Sequence, residues 1–224
     1  MLKKGDLDKI KQIFAYVNQE NINVEEMGVQ NNEVNQGKKL SLVETNTGPL
    51  GRTTLILAAS RGHHQICKYL ITKLNADLEA RDEYQMTALM YAAFSNRLEV
   101  IKVLLQYKAN CKAKDEIGRH AAYVASYYGY LDALKMLVEK DGDVIDLKGY
   151  RGRTPLIAAS IARQIDLCKY LVEERKANVN TEDDDGKNAL QHAKNPKIIK
   201  ILKNSAKKSK KSKETKYFGW FKNE

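Results

Sequence analysis

The chain has 224 residues, a formal net charge of +10, and 43% apolar against 29% charged residues, enough for one medium-sized domain or two small ones. Three cysteines without clustered spacing argue against a disulfide framework and for a reducing compartment. No run approaches the roughly 18 apolar residues of a membrane span, and the charge-scattered start MLKKGDLDKIKQIF does not read as a signal peptide, so the expected protein is soluble and intracellular.

Charge is unevenly placed. Residues 203–224 hold eight lysines and two glutamates, leaving the body at only +4. Basicity therefore belongs to a tail and not to a nucleic-acid-binding face of the fold.

Five stretches repeat one pattern. They open at Thr53 (TTLILAAS), Thr87 (TALMYAAF), His120 (HAAYVASY), Thr154 (TPLIAASI) and Asn188 (NALQHAKN), at intervals of 34, 33, 34 and 34 residues. Each is followed by a second apolar stretch: ICKYLI, VIKVLL, ALKMLV, LCKYLV and IIKIL. A fixed period of this length predicts stacked units, each packing on its neighbours.

The residues give each unit a physical reading. Thr154 is suited to cap a helix, because its hydroxyl can accept from an unpaired amide of the first turn. Pro155 follows at the first helical position, where a missing N–H costs nothing. Small pairs such as Ala58-Ala59 and Ala92-Ala93 let helices approach closely. Gly62 and Gly129 fall nine residues after the opening position, where the first helix must end and reverse. Asn96 tolerates the left-handed conformation there; Arg163 fits it less well. The second stretch has the 3.6-residue period of a half-buried helix. Each unit is thus a helix–turn–helix followed by a polar loop.

The segments GRTTLILAASRGH (51–63) and GRTPLIAAS (152–160), with the endings ANCKAKD and KANVNTEDDDG, resemble ankyrin repeats. The resemblance implies an all-α ankyrin-repeat solenoid of stacked helix-turn-helix units with protruding loops. Residues 51–203 would hold four full repeats and a truncated fifth. Residues 1–24 resemble the second half of a repeat acting as a cap, 25–50 an inserted loop, and 204–224 a basic, disordered tail with an aromatic end. The histidine that usually follows Thr-Pro-Leu in the family is replaced by Ile56, Met90, Tyr123, Ile157 and Gln191.

No chemistry-bearing motif stands out. Histidines and cysteines form no C-x-x-C or H-x-x-x-H pair, and phosphate-binding and nucleophile-elbow signatures are absent. His63, His64 and Cys67 lie one helical turn apart, yet Cys67 and Cys168 share a repeat position that a small buried hydrophobe explains. The acidic run Glu182–Asp185 reads as a solvated turn. No catalytic activity, metal or cofactor is expected.

In ankyrin repeats partners generally lie along the loop tips and the exposed edge of the first helix. Carried over repeat by repeat, the resemblance implies Arg52, Arg61, Tyr84, Met86, Phe94, Ile117, Arg119, Tyr127, Tyr128, Tyr150, Arg151 and Arg153 as the protein-binding set. Tyrosine and arginine dominate interface hot spots. The expected function is a non-enzymatic adaptor whose partner protein carries an acidic or aromatic-accepting segment. The alternative is a permanent subunit of a larger complex. A third reading is association with nucleic acid or an anionic membrane through Lys207, Lys208, Lys210, Lys211 and Lys213, with Tyr217, Phe218, Trp220 and Phe221 as aromatic anchors. The expected location is cytoplasmic, or nuclear if KKSKKSK acts as an import signal.

Overall fold

The computed structural model describes residues 50–207. The capping half-repeat, the inserted loop up to 49 and the tail beyond 207 lie outside the described residues. The chain divides into two compact units, Met1–Ala121 and Ala122–Glu224.

In the first unit, α1 (Thr54–Arg61) and α2 (His64–Leu74) form one hairpin, and α3 (Ala88–Phe94) and α4 (Leu98–Gln106) the next. Helix α1 packs on α3 and α2 on α4. Both first helices start as the sequence predicts: the Thr53 hydroxyl accepts the Ile56 amide at 3.3 Å, and Thr87 accepts that of Met90 at 3.4 Å. Gly62 ends α1 at φ +90, its N–H reaching the Ala58 and Ala59 carbonyls. Leu55, Leu70, Leu89, Ile101 and Leu104 are sealed from solvent, each contributing about 1.5–3 kcal/mol by burial. Ala58, Ala59, Ala92 and Ala93 are fully buried, where larger side chains would hold the helices apart.

The second unit contains α5 (Ala121–Tyr128), α6 (Leu131–Lys140), α7 (Pro155–Ile161), α8 (Ile165–Lys169) and α9 (Ala189–His192). A last helix, α10, is described over residues 196–207 and so continues past residue 203. Thr154 caps α7 with Pro155 in the first turn, and Asn188 with Gln191 forms a reciprocal capping box on α9. Helix α9 packs on α7. The described residues contain no strand.

The difference between 33- and 34-residue repeats resides at the end of the second helix. In the shorter repeat opening at Thr87, the Leu104 carbonyl accepts the Ala109 amide, five residues on. In two of the three longer ones, Leu70 and Leu171 accept from Ala76 and Ala177, six residues on, while in the repeat opening at His120 the Leu137 carbonyl accepts from Asp141. After Leu70 and Leu171 the added residue widens the exit turn and leaves the preceding contacts in register. After α8 this widening takes the form of a π-helical turn over Tyr170–Glu174.

Candidate protein-binding surface

Three of the loops entering the first helices share a device. Asp82, Asp115 and Asp183 stand five residues before Thr87, His120 and Asn188, and all three are buried. One oxygen of Asp82 accepts the Tyr84 and Met86 amides at 3.0 and 2.9 Å. Asp115 does the same for Ile117 and Arg119 (3.2 and 2.7 Å), and Asp183 for Asp185 and Lys187 (both 3.0 Å). A buried carboxylate needs such donors to offset its lost hydration.

The second oxygen receives side chains. Tyr91 donates its hydroxyl to Asp82 at 2.6 Å; burial and that bond push the Tyr91 phenol up to about 12. His192 lies 2.7 Å from Asp183, and Arg153 donates to the same oxygen at 3.3 Å. Burial alone would raise the Asp183 carboxyl, but the Lys187 amide, His192, Arg153 and the Asp185 amide outweigh it and hold it at about 2.

Four arginines of the expected protein-binding set turn to the protein's own carboxylates. Arg119 is bound to Asp115 at 2.6 Å and Arg153 to Asp183. Arg52 stacks over the Tyr91 ring at 4.7 Å with Asp82 at 3.8 Å. Arg151 is more open but meets both oxygens of Asp185 at 3.1 Å. These guanidiniums hold loops. Met86 is buried, so it is a core residue and not a tip contact. Asp183, within the acidic run read as a solvated turn, is the loop's buried anchor.

Tyr150 also departs from expectation. It is half-buried and packs against Tyr123, Val124 and Ala158, with the Arg153 guanidinium 5.9 Å from its ring centre. The reason lies in its loop: the fifth residue before Thr154 is Gly149, which has no carboxylate. Arg151, the residue whose amide an aspartate would otherwise take, turns left-handed at φ +54. Tyr150 folds inward in that loop.

Among the large apolar side chains, those that stay open are mostly aromatic. Tyr84, Phe94, Ile117, Tyr127 and Tyr128 are each 42–45% exposed. In the first unit, Tyr84 and Ile117 sit on successive tips joined by the Glu116 amide donating to the Tyr84 carbonyl at 3.1 Å. Phe94 ends α3, and Arg61, also exposed, ends α1. In the second unit, tyrosines form a continuous run: Tyr123 stacks on Tyr127 (6.5 Å), Tyr127 meets Tyr128 edge-on (5.4 Å), and Tyr128 stacks on Tyr130 (5.9 Å). Gln164 donates to the Tyr127 carbonyl at 3.2 Å, and Arg97 donates to the equivalent Ser60 carbonyl at the same distance. These bonds satisfy last-turn carbonyls and fix where the exposed residues stand.

The sequence matches the family model described as Ankyrin repeats (3 copies) over residues 3–115 and 117–213. The chain is an ankyrin repeat protein. It is similar to Poly [ADP-ribose] polymerase tankyrase of Caenorhabditis elegans, 29% identical over 66% of this chain and 7% of the relative. It also resembles Protein fem-1 homolog A-like of Mus musculus, 28% identical over 49% of this chain and 16% of that protein. Ankyrin repeat and SAM domain-containing protein 6 of Danio rerio is 30% identical over 59% of this chain and 18% of its own length. The chain thus spans less than a fifth of these relatives. Ankyrin repeats are in general non-catalytic protein–protein interaction modules.

The three cysteines of this ankyrin repeat protein are free and buried. Burial pushes the Cys67 thiol up to about 12 and that of Cys168 to about 11, far from the thiolate needed for nucleophilic or ligand chemistry. Burial, then Arg61 and Arg97, lowers His63. Among the described residues no three His, Cys, Asp or Glu side chains gather as a metal site, and no helix is long and apolar enough to cross a membrane.

Proposed function

We propose that this chain is a non-enzymatic adaptor that captures a partner protein on the exposed aromatic side chains of its loop tips and first-helix ends. The observation that carries the reading is a division of labour. Arginines of the loops are engaged by aspartates, whereas Tyr84, Phe94, Ile117, Tyr127 and Tyr128 each keep 42–45% of their surface exposed. Exposed aromatics cost solubility unless covered, and they supply most of the energy at interfaces. The partner presents apolar pockets that accept aromatic rings, and acidic character contributes little because few loop guanidiniums are unoccupied. Three buried free thiols support a cytoplasmic or nuclear setting. Pull-down of the partner by the intact chain is expected to fail with Tyr84→Ala/Tyr127→Ala/Tyr128→Ala at unchanged melting temperature. Undiminished capture would remove these rings from the interface.

A further inference from the structure

Within the second unit, the final repeat leaves an apolar face that its neighbour does not. Leu156, Ala159 and Leu167 are at most 2% exposed. Their counterparts 34 residues later, Leu190, Ala193 and Ile201, are only half-buried. Beside them stands an acidic tip with Glu182, Asp184 and Asp185 exposed. We propose that residues 208–221 of the same chain close this face, with Tyr217, Phe218, Trp220 and Phe221 over Leu190, Ala193 and Ile201, and with Lys208, Lys210 and Lys211 beside Asp184 and Asp185.

The repeat's own geometry supports this occupant. After α2, α4 and α8 the chain leaving a second helix returns to hydrogen-bond with the preceding loop. Glu83 lies nine residues after Leu74 and donates to the Leu50 carbonyl at 3.0 Å. Glu116 lies ten after Gln106 and donates to Tyr84 at 3.1 Å; Asp184 lies ten after Glu174 and donates to Arg151 at 3.1 Å. The 34-residue period locates the next tip: Asp183–Lys187 advanced by 34 falls on Tyr217–Phe221. A repeat that continued regularly would place a polar tip there, followed by a helix. The chain instead has YFGWF, apolar enough to cover the face itself. The intervening lysines are opposite in charge to the acidic tip.

Trp220 is the chain's single tryptophan, so its fluorescence reports this segment alone. The native chain is expected to emit at shorter wavelength than in urea, equally across a hundred-fold dilution on the order used for self-association tests. Ile201→Ser should move the emission toward the urea value. So should Lys208→Glu/Lys210→Glu/Lys211→Glu, which alters no described residue and serves if the first variant fails to fold. Native emission already at the urea value would overturn the proposal, as would a shift that neither variant changes. A blue shift that fades on dilution would assign the face to a second copy and overturn it too. The measurement needs no partner, so its failure leaves the adaptor reading standing.

Discussion

The loop before Asn188 and the loop before Thr154 belong to the same unit and are built on opposite principles. The first hangs on a buried carboxylate, Asp183, which gathers two amides, His192 and Arg153. The second has Gly149 in that place, a left-handed Arg151, and Tyr150 turned against Tyr123 and Val124. The loop before Thr53 agrees with the second type: Gly48 holds the same sequence position, and Leu50 is left-handed at φ +81. Loss of one acceptor therefore changes the backbone two residues on. It also changes which side chain stays exposed. Where the aspartate is present, the tip residues of the first unit, Tyr84 and Ile117, are left outside.

The largest expected effect comes from breaking the charged type. Asp183→Ala leaves Arg153 and two loop amides without their buried acceptor, and should cost about 3 kcal/mol in urea unfolding. Acid should reach the same group more gently. Because the folded Asp183 carboxyl is held at about 2 against an ordinary 3.8, its contribution, about 2 kcal/mol, is present above pH ~4 and lost as pH falls toward 2. A pH titration of the melting temperature should lose this component in Asp183→Asn. Tyr150→Ala tests the aromatic type, with about 1–2 kcal/mol lost from a half-buried ring. Tyr127→Ala, on an exposed ring, should stay within about 0.5 kcal/mol of the parent. One effect has the opposite sign. Gln85 and Arg163 sit at φ +60 and +61, and glycine at either should stabilise by about 0.5 kcal/mol in urea unfolding by relieving left-handed strain.

The helices were readable from the residues because period, caps and small-residue pairs all point the same way: Thr53, Thr87, Thr154 and Gly62 act where their chemistry predicts. Arg163 shows that a tight turn imposes the left-handed state even on a residue that disfavours it. The loops were harder. Asp82, Asp115 and Asp183 recur five residues before the opening position, a signal present in the sequence, but charge alone suggests solvent and conceals a buried anchor. Once those carboxylates are placed, Arg119 and Arg153 become loop braces and Met86 becomes core. Tyr150 could not be separated from Tyr84 by residue type; the glycine before it decides its direction. The π turn after α8 follows from one extra residue that the period records but does not locate.

The central claim is that exposed aromatics bind while loop arginines hold the scaffold. It is tested most directly by measuring partner affinity and melting temperature together for two variants, Tyr127→Ala/Tyr128→Ala and Arg119→Ala/Arg153→Ala. The expected result is at least a roughly ten-fold weaker Kd at unchanged melting temperature for the first, and a lower melting temperature with little change in Kd for the second. Weaker binding from the arginine pair with no loss of stability, and none from the tyrosines, would contradict the assignment.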